Sequence, residues 1–399
     1  MVLNVVVDIS NGFQPIDLED EDFEDEQRIG DSQSSEENSD EEAQRHGKRS
    51  RKDWQENFQC MEKHDGSNTE ANPNARTIEI LEQMGHYYDR ISDNWRAIAY
   101  RRAVSMLRKQ SRQITTREEA LSLPFIGDRL AEKIQEIVWT NKLRRLDNAI
   151  LDPTDHVLQL FMHVYGVGLS QASRWVSAGF TTLDHLRDHA KLTECQKLGL
   201  EHVKDFQTRI PREEVRQLES IVKQTFEDID TAFQVIVGGS YRRGAGDSGD
   251  IDLIITKPNA NLECIRTVVL NQLVPALFAK DFLKAALART NRETGTKWHG
   301  ACALPGSSVW RRIDLLLVPW DELGAALIYF TGNDVFNRSI RLLASMKGMR
   351  LNQRGLYRNV MRGKGRQRIT EGELVEGKSE RRIFEILGVP WRPPAHRRC

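Results

Sequence analysis

The hydrophobic periodicity of this chain changes once, after Ala232, and that change limits which architectures the chain can adopt. Upstream, apolar residues recur three and four positions apart. Ile78, Leu81, Met84, Tyr88 and Ile91 predict one amphipathic helix, and a second runs from about Trp95 to Leu107, with others following to Asn148. Pro153 opens a further helical unit reaching roughly Thr208, and Ile210-Pro211-Arg212-Glu213-Glu214 opens another helix with proline at a tolerated early position. Downstream, Phe233–Val237, Ile251–Thr256 and Arg312–Val318 are short, aliphatic and partly β-branched, which predicts strands. A helical stretch, roughly Leu262–Phe278, separates the last two. Helices return from Asp321, and a mixed C-terminal unit ends in Arg382-Ile383-Phe384-Glu385-Ile386-Leu387-Gly388. Helices first and strands afterwards predict an α+β chain, and 399 residues are too many for one core.

Charge divides the chain again. Residues 1–70 carry 20 Asp/Glu against 7 Lys/Arg, a net of −13, so with an overall charge of −1 the remainder carries +12. A basic body behind an acidic arm suits a polyanion partner. From Asp17 to Glu42 the composition cannot bury enough apolar surface to offset chain entropy, which predicts disorder, and Lys48-Arg49-Ser50-Arg51-Lys52 is a short basic cluster of the nuclear-import kind. Cys60, Cys195, Cys264, Cys302 and Cys399 are too far apart for zinc-type pairs and read as reduced thiols. With no run of eighteen apolar residues and no secretory signal, a soluble intracellular protein is expected.

Two segments share the layout helix, glycine-containing turn, helix. Leu123-Pro124-Phe125-Ile126-Gly127 precedes a helix over Asp128–Trp139, and Val164-Tyr165-Gly166-Val167-Gly168 precedes one over Leu169–Ser177. Backbone N–H groups at such a turn point along the second helix, where the dipole also favours an anion. A tandem pair with basic residues behind it (Arg129 and Lys133; Arg174) would grip a DNA backbone without reading sequence. Phe125 stands in the first hairpin where the pattern expects glycine.

The stretch Gly238-Gly239-Ser240-Tyr241-Arg242-Arg243-Gly244-Ala245-Gly246-Asp247-Ser248-Gly249-Asp250-Ile251-Asp252 carries the chemistry. Asp250 and Asp252, one residue apart at a strand start, project to one face and can share two divalent cations roughly 3.5–4 Å apart. Such ions require hard oxygen ligands, and phosphoryl transfer requires the ions. Gly239 and Ser240 offer a turn to a triphosphate, and Arg243 a permanent charge suited to bidentate phosphate contact. Asp314, on the next predicted strand, would be a third carboxylate.

On these residues, together with Tyr329-Phe330-Thr331-Gly332-Asn333-Asp334-Val335-Phe336-Asn337-Arg338 and Leu387-Gly388-Val389-Pro390-Trp391-Arg392, the sequence resembles the family X DNA polymerases, closest to the beta and lambda branch and its fungal relatives. The resemblance runs from roughly Asn74 to the C-terminus. It implies a multidomain α+β polymerase: a disordered acidic tail with a basic cluster over 1–73, a helical DNA-binding and lyase-like domain over 74–148 with the first hairpin, a helical subdomain over 149–211 with the second, a nucleotidyltransferase palm over 212–320, and a nucleotide-selecting unit over 321–399. It further implies a monomer that fills short gaps in base-excision repair or end joining in the nucleus. Expected partners are gapped or nicked double-stranded DNA, deoxynucleoside triphosphates and end-joining or repair proteins, and no membrane.

By position, Asp250, Asp252 and Asp314 match the ligands of two Mg2+ ions, with Mn2+ as a substitute, and Asp314 also matches the general base or its metal-bridged equivalent. Ser240, Arg243, Gly249 and Arg209 match triphosphate contacts; Tyr329 and Phe330 the sugar pocket, Gly332 the turn beside it, and Asp334 and Asn337 the flank of the incoming base. Arg341 matches a template contact, and Gly127, Gly166, Gly168 and Arg129 match DNA contacts of the hairpins. Members tolerant of ribonucleotides carry Gly-Trp at the Tyr329-Phe330 position, so a deoxynucleotide preference is implied, and Thr290–Thr296 is short for the loop of template-independent members. Lys133 matches the Schiff-base lysine of a 5′-deoxyribose-phosphate lyase. Its ordinary pKa near about 10.4 must be lowered by burial or positive neighbours such as Arg129 and Arg96, and Tyr100 matches another pocket residue. Leu316 departs from the beta pattern, which has a switching arginine there, and the resemblance does not extend to the phosphopeptide-type domain of lambda and fungal members. Two rivals stay open on the residues alone: a template-independent or RNA-directed nucleotidyltransferase, and a non-catalytic DNA-end-binding scaffold.

Overall fold

In the computed structural model, the described residues are 55, 58–61, 63, 72–91, 93–150, 153–288, 295–361 and 369–398. The acidic stretch, the basic cluster, Cys399 and most of the 290–296 loop lie outside them. The first unit is helical: α1 (Ala75–Arg90), α2 (Asn94–Arg108), α3 (Arg117–Leu121), α4 (Asp128–Thr140) and α5 (Arg144–Ile150). The three- and four-residue spacing read from the sequence buries Leu81, Met84 and Tyr88 of α1 against Tyr100 and Leu107 of α2 and Ile134 and Ile137 of α4.

A second helical unit holds α6 (Pro153–Met162), α7 (Leu169–Ser177), α8 (Leu183–His189), α9 (Glu194–Glu201) and α10 (Val203–Gln207), packed around Phe161, Val164, Trp175 and Leu186. Arg90 of α1 reaches Asp155 of α6 through two hydrogen bonds of 3.1 and 2.9 Å, tying the two units together. Both hairpins form as expected. Gly127 and Gly168 cap α4 and α7 with nearly the same dihedrals, φ −93° with ψ 175° and φ −93° with ψ 173°. Phe125 takes the left-handed conformation (φ 64°) that Gly166 takes (φ 77°). Its ring stands outside at 64 % exposure, whereas a Cβ on Gly166 would lie 3.1 Å from Sγ of Cys195. Space beyond the turn therefore decides which hairpin needs glycine.

Ile210-Pro211 does not enter the next helix; it forms a short strand, β1, and Pro211 caps α11 (Arg212–Ile229) from outside. Then come β2 (Gln234–Val237), the helical turn α12 (Gly239–Arg242), β3 (Asp247–Ser248), β4 (Ile251–Thr256), α13 (Leu262–Val268) running through a π-turn into α14 (Val274–Ala279), β5 (Leu283–Ala286), β6 (Lys297–Cys302) and β7 (Arg311–Leu317). The main sheet has the order β2-β4-β7-β6-β5, with β4 and β7 parallel and the other pairs antiparallel; β1 pairs with β3. Strands β5 and β6 were not predicted, because Leu-Lys-Ala-Ala and Lys-Trp-His-Gly-Ala-Cys lack the β-branched residues that mark a strand locally. The stretch Leu262–Ala279 is long and apolar enough to cross a membrane, yet Ile265, Val269, Leu273 and Leu277 are fully buried in the core of the sheet.

The C-terminal unit contains α15 (Leu323–Thr331), α16 (Asp334–Met346), a small sheet of order β10-β9-β8 (β8, Arg350–Leu351; β9, Leu356–Arg358; β10, Glu373–Glu376) and α17 (Glu380–Leu387). Gly388 ends α17 in the left-handed conformation, φ 65°. One expectation is corrected. Gln59–Met61, inside the segment read as a disordered tail, forms a helical turn that packs here, with Cys60 buried among Phe336, Ile340 and Phe384. Phe58, Cys60 and Met61 are an apolar group within a polar run, and the C-terminal unit gives that group a surface to bury.

Candidate active site

Side chains alternate across a strand, and the alternation sorts β4 and β7. Ile251, Leu253, Ile313 and Leu315 enter the core beneath α11, α13 and α14. On the opposite face Ile254 and Leu316 pack with Val318 and Ala326 of α15, which explains an apolar residue at 316. Asp252 and Asp314 occupy that second face one step before α15 covers it. They stand directly opposite each other, because Asp252 is in register with Asp314 across the parallel β4–β7 pair. Asp250 lies on the same side just ahead of β4.

Crowding sets the electrostatics. Burial, then Asp250 and Asp314, push the Asp252 carboxyl up to about 7. Asp250 is raised by burial and by Asp314, against which Arg312 lowers it from 3.0 Å. Asp314 accepts a 2.8 Å hydrogen bond from Nδ1 of His299, its in-register neighbour on β6. Above the cluster sits Gly238-Gly239. Gly239 has φ 54°, and a Cβ there would lie 2.7 Å from Oδ2 of Asp252; a Cβ on Gly238 would lie 3.1 Å from the carbonyl of Phe330. Only glycines let this turn approach the carboxylates so closely. Expected as a turn, it is the start of α12, with Gly238 as the cap.

The donor set fits divalent cations in kind: three carboxylates, hard oxygens only, whose mutual repulsion a cation would relieve. It is not a closed cage, since among the described residues no three Asp, Glu, His or Cys side chains are gathered tightly enough to hold a metal. Arg312 and His299 hold two of the three carboxylates.

The expected triphosphate contacts line the same side. Ser240 Oγ lies 2.9 Å from Ser248 Oγ, Arg243 donates to the Thr331 carbonyl, and Arg209 pairs with Asp247 at 2.6 Å beside Gly249. Tyr329 and Phe330 meet edge to face at 5.0 Å at the end of α15, and Gly332 turns the chain (φ 64°) toward α16, where a Cβ on it would lie 3.2 Å from Arg243. Asn337 donates to the Tyr329 carbonyl at 2.7 Å, Asp334 pairs with Arg338, and Arg341 lies one turn beyond Asn337 on α16.

Lys133 is not part of this cluster. It projects from α4 in the first unit, with Nζ 3.2 Å from the Arg129 carbonyl, and its pKa is lowered by partial burial, then by Arg129 and Arg145. Tyr88 and Tyr100 stack at 5.4 Å nearby, and Tyr88 holds the Arg145 pKa above its ordinary value. Arg96 pairs instead with Asp93. Four residues of these two sites escaped the sequence reading: His299, Arg312, Arg145 and Tyr88. Arg312 was detectable, being two residues from Asp314 on a strand; His299 was not, because β6 itself was missed.

Comparison with known proteins covers most of the chain. Residues 72–143 match the description of a helix-hairpin-helix domain, 159–207 the fingers domain of DNA polymerase lambda, 209–320 the DNA polymerase beta palm, and 326–398 the DNA polymerase beta thumb. The chain is 35 % identical over 330 residues to DNA polymerase lambda of Rattus norvegicus, covering 82 % of this chain and 56 % of that protein. It is 34 % identical over 330 residues to DNA polymerase lambda of Arabidopsis thaliana, covering 81 % and 62 %. The chain thus spans a little over half the length of these relatives.

Proposed function

From the premise that this chain belongs to the beta/lambda-like family X DNA polymerases, we propose that it is a template-directed DNA polymerase that fills short gaps during repair in the nucleus. The observation that carries the reading is the in-register opposition of Asp252 and Asp314, with Asp250 ahead of them, under the Gly238-Gly239 turn. Asp250, Asp252 and Asp314 would hold two divalent cations, magnesium in the first instance. Held by these three residues, the cations would supply Lewis acidity at the primer hydroxyl and positive charge at the departing pyrophosphate.

The chain's own groups do the rest. Ser240, Arg243, Gly249 and Arg209 seat the triphosphate, and Arg209 and Arg243 exchange their present partners, Asp247 and the Thr331 carbonyl, for phosphate oxygens. Tyr329 and Phe330 close the sugar pocket against a 2′-hydroxyl. Asp334 and Asn337 flank the incoming base, and Arg341 meets the template. Asp314 takes the proton of the 3′-hydroxyl as the new oxygen–phosphorus bond forms and pyrophosphate leaves. The two hairpins, with Gly127, Arg129, Gly166 and Gly168, hold phosphates on either side of the gap. A one-nucleotide gapped duplex with a downstream 5′-phosphate tests this. Templated insertion by the wild type, lost in Asp314→Asn while DNA binding is kept, is the expected result; tight binding with no insertion by either protein would leave only a DNA-end scaffold.

A second activity is favoured by the lowered pKa of Lys133. The free amine would attack the C1′ aldehyde of a 5′-deoxyribose phosphate and lose water to give an imine, after which β-elimination releases the 5′-phosphate strand. Borohydride should trap the wild type on such DNA and fail to trap Lys133→Ala; equal trapping of both would remove this lysine from the role.

A further inference from the structure

We propose that His299 is a positioning residue for the polymerase reaction, holding Asp314 in the orientation in which it receives the proton of the primer 3′-hydroxyl. The inference rests on the polymerase reading above and adds a fourth side chain to the three aspartates. His299 Nδ1 lies 2.8 Å from Oδ1 of Asp314. A carboxylate can only accept, so Nδ1 carries the hydrogen and donates it. Among the described residues His299 is the one hydrogen-bond partner of Asp314, because Arg312, two residues away, is turned to Asp250.

The sheet makes this arrangement a row. Asp252 on β4 and His299 on β6 are each the register partner of Asp314 on β7, so Asp314 has a carboxyl group on one side and an imidazole on the other. The terminal torsion of an aspartate has a broad, two-fold preference and does not orient the group by itself. Repulsion from Asp252 would swing it, and the donated hydrogen bond from His299 opposes that. The bond occupies Oδ1 and leaves Oδ2 to take the proton. His299 is itself held firmly: its neighbour Trp298 is buried in the core, and a Cβ on Gly300 would lie 2.8 Å from the carbonyl of Ala285 on β5, so β6 is packed closely against its neighbouring strand. In the reaction His299 makes and breaks no covalent bond. The proton passes from the 3′-hydroxyl to Asp314 Oδ2 while the 3′-oxygen–phosphorus bond forms and the bond to pyrophosphate breaks.

Groups that orient a metal-ligating or reacting carboxylate typically matter by about 10–100-fold. The test is single-turnover insertion on the one-nucleotide gapped duplex, with the maximal rate and the nucleotide Kd measured separately for wild type, His299→Leu and His299→Asn. Leucine removes the donor, while asparagine places an amide N–H close to where Nδ1 stands. Manganese binding to the enzyme–gapped-DNA complex, followed by electron paramagnetic resonance without nucleotide, gives a readout independent of turnover. Expected for His299→Leu are a maximal rate down by about 10–100-fold, an unchanged nucleotide Kd and weaker manganese binding, with His299→Asn recovering most of both losses. A maximal rate for His299→Leu equal to the wild type, or an asparagine variant no better than leucine, overturns the inference alone. A wild type that inserts nothing overturns the polymerase reading, and this inference with it.

Discussion

Burial and two neighbouring carboxylates raise the carboxyl of Asp252 from an ordinary 3.8 to about 7. Between those values the folded chain binds more protons at this residue than the unfolded chain does, so stability falls as pH rises from about 4 to about 7 and then levels off. The full shift of about three units corresponds to at most about 4 kcal/mol, and coupling among the three carboxylates, which share the proton, reduces this residue's part to about 2 kcal/mol. In a chelator at pH 8, Asp252→Asn should therefore be about 2 kcal/mol more stable than wild type in urea unfolding, with the difference vanishing near pH 4. Divalent cations at pH 8 should stabilise the wild type more than the variant. Equal stability of the two proteins at pH 8 without cations would mean that Asp252 is not strained by its neighbours. The same crowding explains Gly238-Gly239, since a side chain at 239 would meet the carboxylate it must leave accessible.

Elements whose signal is local were legible in the sequence. Helices α1 and α2 declared themselves by apolar spacing, α4 and α7 by the glycine-containing turns ahead of them, and β2, β4 and β7 by aliphatic content. Asp250, Asp252 and Asp314 could be paired because their strands were among these. Strands β5 and β6 were hidden because pairing, not composition, makes them strands, and His299 was hidden with them. The turn at Gln59–Met61 was hidden for a related reason: its apolar surface acquires meaning only against residues more than 250 positions away. The hairpins show the converse limit. Their glycines look equivalent in sequence, yet Gly168 has φ −93° and open space beside it, while Gly166 has φ 77° and would place a Cβ 3.1 Å from Sγ of Cys195. Gly166→Ala should therefore cost about 1–2 kcal/mol in urea unfolding, and Gly168→Ala no more than about 0.5 kcal/mol. Equal costs would show that α9 does not constrain the second hairpin as it stands.

Across the whole molecule, buried arginine–carboxylate ties hold the units in place. Arg90 with Asp155 joins the two helical units, and Arg311 with Glu214 pins β7, the strand of Asp314, to α11 at 2.7 and 3.0 Å. The joint between the palm and the C-terminal unit centres on Glu380, which is 8 % exposed and receives Arg242 of α12 at 3.0 Å and Arg397 at 2.6 Å. Arg397 is fully buried among the rings of Phe336, Phe384 and Trp391. Arg242 also donates to Thr331, the residue after the Tyr329-Phe330 pair, so one carboxylate aligns the turn over the aspartates with the helix expected to select the nucleotide. Removing the charge of Glu380 leaves two guanidinium groups in a desolvated joint without their counter-charge, a change that typically costs about 3–5 kcal/mol. Glu380→Gln should lower the stability of the chain by about 3 kcal/mol, whereas Glu373→Gln, whose pair with Arg358 is exposed on β10, should change it by less than about 0.5 kcal/mol. Because Arg242 sits next to Arg243, the loss at Glu380 should also weaken nucleotide binding at temperatures where the variant remains folded. A Glu380→Gln protein that melts with the wild type and binds nucleotide equally well would show that the rings around Arg397, not the ion pairs, hold this joint.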